Sequence, residues 1–237
     1  MLIGLTGLYC AGKNHIGLLL EKLGLPVLDA DKLGHEVINR ETKAIISRFG
    51  KGIMGSDGQI DRKLLGKHVF GRPEELTALE KIVHPGVDLL IEQWINTENV
   101  RQAGYCVINA ALLHKSSVFG NLNAIIVVHA PFPVRFFRAL RRDKLPLGNL
   151  GELIKRFLSQ KDFPRYKNGK YQPQLFSTAA DIYTIRNSGF SGSQRALEKR
   201  IDIILEGLRH GKEKIIAGCS DGGSIPGDRG ERRDPYL

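Results

Sequence analysis

MLIGLTGLYCAGKNHIGLLLEKL, residues 1–23, opens the chain with an apolar run, a glycine-bounded turn and a helical repeat. Leu2 to Thr6 reads as a strand. Gly7-Leu8-Tyr9-Cys10-Ala11-Gly12 is the turn, and Lys13 follows it. Ile16, Leu19, Leu20 and Leu23 then recur at helical spacing. Strand, Gly turn, Lys and helix in that order are the context of a phosphate-binding loop. A turn around an anion aims successive backbone N–H groups inward. Gly7 and Gly12 permit the close approach and positive φ this needs. The helix N-terminus brings its positive end, and Lys13 a full charge, to the β- and γ-phosphates.

The pattern G-x-x-x-x-G-K-[ST] is met from Gly7 to Lys13 and ends on Asn14, where a hydroxyl would meet Mg²⁺. An Asn carbonyl oxygen can ligate a hard cation or hold one of its waters. Cys10, Ala11, Gly12, Lys13, Asn14 and His15 are therefore the expected nucleoside triphosphate contacts, and Asn14 the expected Mg²⁺ contact. The competing reading is a plain Gly turn between a strand and a packed helix.

The 237 residues carry a net charge of +10 and three cysteines, Cys10, Cys106 and Cys219. That length suits one large domain or a core with an inserted lobe. No apolar run reaches a membrane span, and the N-terminus lacks the basic region and cleavage site of a signal peptide. The cysteines show no metal or disulfide spacing, so the expected compartment is the cytoplasm. The basic balance permits nucleic acid, a membrane surface or a polyanionic small molecule. Aromatics are not interleaved with the basic residues, and no helix-turn-helix or zinc-finger pattern appears. The expectation is a phosphorylated small molecule, without nucleic acid or membrane. The seven histidines show no metal-ligand spacing.

Working outward, Leu25 to Ala30 is predicted as the second strand, with Asp29 and Asp31 at its C-terminal end beside the loop. One carboxylate can face metal or phosphate and the other a substrate hydroxyl, whose proton it accepts or orients. The alternative makes Asp31 only the cap of a helix over 32–39. Helices are predicted over 42–49, 62–70 and 74–83, with a break at His84-Pro85 and a resumption over 86–96. Tyr105 to Ala110, Ala124 to Ala130 and Ala180 to Arg186 are further strands. The first two are near-continuous apolar runs, as expected of strands buried on both faces. Val134 to Asp143 is a helix with Arg135, Arg138 and Arg142 on one face. A turn over 145–149 and a second basic helix over 150–163 follow. Those arginines either neutralise a transferring phosphoryl group or form a solvated basic face. Asn187 stands in a turn that can reach an adenine edge. Residues 195–208 close the fold as an amphipathic helix, and 211–237 is predicted to be a disordered tail.

Taken together, these residues resemble the dephospho-coenzyme A kinase family. The resemblance covers about residues 2–208. It is carried by GLTG…AGK (4–13), VLDADKLGHEV (27–37), DGQIDRKLLGKHVF (57–70), LEKIVHP (79–85) and FFRALRRD (136–143), with AADIYTIRNSG (179–189) in agreement. It implies an α/β fold of the P-loop NTPase class, a five-stranded parallel sheet flanked by helices. The core would span about 1–31 and 98–210, with an inserted helical substrate lobe over about 32–97 and a basic helical lid over about 134–165. It implies ATP-dependent, Mg²⁺-assisted phosphorylation of the ribose 3′-hydroxyl of dephospho-CoA by a monomer or weak homo-oligomer. Asp31 is then the base, Lys13 and Arg138 act with it on the phosphates, and Arg142 and Asn187 bind ATP. Asp29, Arg62, His84 and Pro85 line the dephospho-CoA site. The chain departs from the family pattern at Asn14-His15, at His35 (usually Arg), and at Ala111-Leu112-Leu113-His114 (usually Pro-Leu-Leu plus an acid). Those departures motivate a second reading, a non-catalytic nucleotide- or CoA-binding protein on the same fold.

Overall fold

A computed structural model of the chain describes residues 1–143, 166–167, 170–171, 180–188 and 193–210. Five parallel strands form one sheet: β1 (Leu2–Gly7), β2 (Val27–Asp29), β3 (Cys106–Asn109), β4 (Ala124–His129) and, after a short antiparallel hairpin of β5 (Tyr166–Lys167) and β6 (Lys170–Tyr171), β7 (Asp181–Arg186). The spatial order is β2-β3-β1-β4-β7. β1 is thus the central strand. The chain leaves it on one side for β2 and β3 and returns on the other for β4 and β7. Such a reversal opens a crevice at the C-terminal strand ends.

β3 and β4 are buried along their whole lengths. Alternation divides β4 between the faces. Ala124, Ile126 and Val128 pack with Ile16, Leu20, Ile201 and Leu205, from α1 (Lys13–Lys22) and the closing helix α8 (Ser193–His210). Ile125 and Val127 pack on the other face with Ile91, Leu113 and Leu122. Each such Ile, Leu or Val side chain contributes about 1.5–3 kcal/mol of burial free energy, so the central strands are firm supports for whatever their ends carry.

Between β2 and β3 lie α2 (Ala30–Arg40), α3 (Thr42–Phe49), α4 (Arg62–Val69), α5 (Pro73–Ile95) and α6 (Glu98–Ala103). These helices build an apolar cluster of their own from Val37, Ile45, Phe49, Leu65, Val69 and Val83. After β4 comes α7 (Phe132–Asp143), the arginine helix.

Three sequence expectations change. The second strand is shorter than 25–30, because Ala30 already begins α2. The cap of α2 is Asp29, which accepts from the Lys32 N–H at 3.3 Å, so Asp31 is free of that duty. The predicted break at His84-Pro85 is absent: α5 runs unbroken for 23 residues through Pro85. Proline removes one backbone bond there. Val83 and Ile91 are buried on either side of it, and Val87 packs into two clusters, so tertiary packing carries the helix through. Gly86 makes that packing possible, since a Cβ there would stand 2.7 Å from Val37 Cγ1. The turn over 145–149, the helix over 150–163, the lid beyond residue 143 and the tail over 211–237 lie outside the described residues. Among the described residues no helix is long and apolar enough to cross a membrane.

Candidate active site

The loop after β1 is anchored at both ends. Leu8 N–H donates to the Val128 carbonyl at 3.2 Å, and Ala11 N–H closes a turn onto the Leu8 carbonyl at 2.9 Å. Two residues take positive φ: Cys10 at 57° and Gly12 at 92°. Gly12 is the N-cap of α1, and that end carries no capping side chain and no acidic residue in its first turn. The positive end of α1 is therefore left to an external anion.

Lys13 projects from this first turn. Its Nζ lies 2.8 Å from Asp31 Oδ2, with the Lys13 side chain 12% exposed and that of Asp31 46% exposed. The other Asp31 oxygen accepts from the Ala111 N–H at 3.0 Å, just past the end of β3. Three segments distant in sequence thus orient one carboxylate. Asn14, next to Lys13, is exposed, and its Oδ1 accepts from Asn109 Nδ2 at 3.3 Å.

The arginines of α7 grip the loop from the opposite side. Arg138 Nη1 donates to the Ala11 carbonyl at 3.0 Å and the Cys10 carbonyl at 3.4 Å, while Nη2 donates to Asn187 Oδ1 at 3.0 Å. Arg135 donates to the Ala130 carbonyl at 3.1 Å and the Tyr9 carbonyl at 3.4 Å. Arg142 stacks over the Tyr9 ring at 4.7 Å and donates to its hydroxyl at 2.7 Å. Burial pulls the Arg135 and Arg138 guanidinium groups below the usual arginine range, and the neighbouring Cys10 opposes that shift. Both remain cations at neutral pH. Buried Asn187 follows β7, and its Nδ2 donates to the Ala11 carbonyl at 3.1 Å. Its side chain is thus engaged with the loop.

A cavity of roughly 600 Å³ opens over the loop. It is lined by loop residues from Gly7 to Asn14 together with Asp31, Ala111, Leu112, His114, Arg138 and Arg142. The sequence-predicted residues Cys10, Gly12, Lys13, Asn14, Asp31, Arg138 and Arg142 are therefore brought together. Ala11 is buried beneath the loop, and His15 is exposed on α1. Asp29 caps α2. Exposed Arg62 opens α4, and His84 and Pro85 lie in the middle of α5; none of the three lines this cavity. Sequence reasoning missed Tyr9 and Asn109; Arg135 it placed on the arginine face, without its bond to the Tyr9 carbonyl. For Asn109 a signal existed: it is the one amide in the apolar strand Cys-Val-Ile-Asn.

The dephospho-CoA kinase family profile matches residues 1–166. The chain belongs to the dephospho-CoA kinase family. A dephospho-CoA kinase of Aquifex aeolicus is 35% identical over 190 residues, 79% of this chain and 88% of that one. One of Halalkalibacterium halodurans is 34% identical over 149 residues, 61% of this chain and 73% of that one. Among solved structures, one from Thermus thermophilus superposes with a TM-score of 0.66 at 28% identity, covering 88% of this chain and 97% of that one. A dephospho-CoA kinase from Campylobacter jejuni gives 0.57 at 21% identity over 89% and 98%, a likeness of fold. The fold is that of the P-loop kinases, and the chain is an ATP-using phosphotransferase of this family. The non-catalytic alternative draws no support from these matches.

Proposed function

We propose that the chain moves the γ-phosphoryl group of ATP to the ribose 3′-hydroxyl of dephospho-CoA, with Asp31 as the base. The observation that carries this reading is Asp31, held between the Ala111 N–H and the Lys13 ammonium at the rim of the phosphate loop. Without nucleotide the two charges satisfy each other. A triphosphate arriving over the uncapped end of α1 competes for Lys13, which turns to the β- and γ-oxygens. Asp31 then keeps its backbone bond, and with it its direction, and its free oxygen accepts the hydroxyl proton. Arg135 and Arg138 fix the loop carbonyls, so the N–H groups stay aimed at the phosphates. Exposed Arg142 stands at the cavity wall, where it can meet charge developing on the transferred group.

Mg²⁺ suits the oxygen donors present. Asn14 and Asp31 line the same cavity, and magnesium commonly takes one or two protein oxygens plus phosphate and water. Bound with ATP, it supplies neutralisation of β- and γ-phosphate charge. Among the described residues no group of three His, Cys, Asp or Glu forms an alternative metal centre. The helices over 32–97, with Arg62, His84 and Pro85, are proposed to receive the remainder of dephospho-CoA, and the segment over 134–165 to act as the lid. The test is incubation of the purified chain with ATP, Mg²⁺ and dephospho-CoA, read by mass spectrometry. Conversion to CoA is expected; its absence, with ATP still bound, contradicts the reading.

A further inference from the structure

Asn109 ends β3 and is 3% exposed. Its register partners are Leu5 on β1 and Asp29 on β2, which puts it directly beneath the phosphate loop and its neighbouring carboxylates. Its Nδ2 donates to Asn14 Oδ1, and the same nitrogen lies 3.6 Å from where a Cβ on Gly17, one turn further along α1, would stand. The other end of this amide is anomalous. Asn109 Oδ1 is buried and has no hydrogen-bond partner among the described residues. A buried acceptor left unpaired opposes folding, and most native ones are satisfied by protein or water. An apolar residue at this strand end would avoid that cost and match Cys106, Val107 and Ile108.

We infer that Asn109 is a positioning residue for the metal that accompanies ATP: its NH₂ group, retained despite an unpaired buried carbonyl oxygen, holds Asn14 by its Oδ1. The inference rests on the reading of Asn14 as the metal-side residue of the loop. Where the loop pattern has a hydroxyl, this chain has an amide whose two ends must be told apart. A donor fixed beneath Asn14 selects the orientation with Asn14 Oδ1 toward that donor and leaves its second lone pair for metal or metal-bound water. Outer partners of this kind orient metal ligands.

The experiment measures Mn²⁺ affinity by electron paramagnetic resonance on the full chain saturated with a non-hydrolysable ATP analogue. Thermal unfolding of the ligand-free protein is followed in parallel. Asn109→Leu removes both polar ends at similar volume; it weakens Mn²⁺ binding about tenfold while ligand-free stability is kept or raised. Asn109→Ala serves if the Leu variant does not fold. Mn²⁺ affinity within twofold of the parent for the folded Leu or Ala variant overturns the inference, as does loss of ligand-free stability with metal binding unmoved. Asn14→Ala separates the two readings. If it weakens Mn²⁺ binding and Asn109→Leu does not, the metal reading stands and this inference falls; if neither does, both fall.

Discussion

Replacing Asp31 with Asn changes charge while keeping shape. An Asn oxygen can still accept from the Ala111 N–H, so the side chain keeps the direction set by that 3.0 Å bond. Two things are lost: the 2.8 Å ion pair to Lys13 and the capacity to take a proton. The pair involves a carboxylate that is 46% exposed, so solvent screens it and it contributes no more than about 1 kcal/mol. For a chain of this size that shifts the melting temperature by roughly 2–4 °C. The proton-accepting role weighs far more, since a positioned base is worth about 10²–10⁴ in rate, or roughly 3–5 kcal/mol of barrier. Lys13, released from Asp31, is already available to phosphate, so ATP affinity holds or rises by up to about fivefold. The assay is steady-state turnover of dephospho-CoA beside calorimetric titration with ATP. Turnover within tenfold of the parent refutes Asp31 as base. A collapse of ATP affinity equal to the loss of rate refutes the separation of binding from chemistry.

Arg138→Lys keeps a charge but loses the fork that spans the Ala11 carbonyl and Asn187. Charged hydrogen bonds are worth about 1.5–3 kcal/mol each, so both Arg138→Lys and Arg138→Ala should raise the ATP Kd about 10–100-fold in titration; full affinity in the Lys variant would show a point charge at work instead. Gly86→Ala drives a methyl against Val37, an overpacking of about 1–3 kcal/mol, and should lower the melting temperature by roughly 2–10 °C, with Val37→Ala restoring part of it; an unchanged melting temperature contradicts the close packing of α2 on α5. His129 is buried at the end of β4, and burial, reinforced by Arg186 and Arg200, lowers its pKa to about 4. An unfolded histidine titrates near 6.5, so between these values the unfolded state binds more protons. The stabilising contribution is present above about pH 6.5 and drains away as pH falls toward 4. Denaturant unfolding at stepped pH should show this loss, and His129→Gln should flatten it; parallel profiles would contradict it.

The phosphate loop was legible because its chemistry is local: a strand, two glycines, a lysine and a helix within 23 residues. The strands of the core were legible because burial on both faces leaves unbroken apolar runs. The arginine face of α7 could be read from its spacing, but its target could not. Arg138 reaches carbonyls 127 and 128 residues earlier in the chain, a contact set by the path of α7 over the loop. Asn109 stayed hidden for the same reason, its partner Asn14 being 95 positions away. The roles of Asp29 and Asp31 were left open because spacing alone does not say where α2 begins. A two-residue difference in that start makes Asp29 the cap and frees Asp31 for Lys13. The helix break at Pro85 was a local rule overridden by packing that only the folded lobe provides.

The central claim is that Asp31 and the loop deliver the γ-phosphoryl group to one hydroxyl of dephospho-CoA. The most direct measurement is a single-turnover reaction of excess enzyme with γ-labelled ATP, Mg²⁺ and dephospho-CoA, with the product located by phosphorus NMR. The account predicts the label on the ribose 3′-oxygen and none released as inorganic phosphate beforehand. Label appearing only as inorganic phosphate, or on another oxygen, would contradict it.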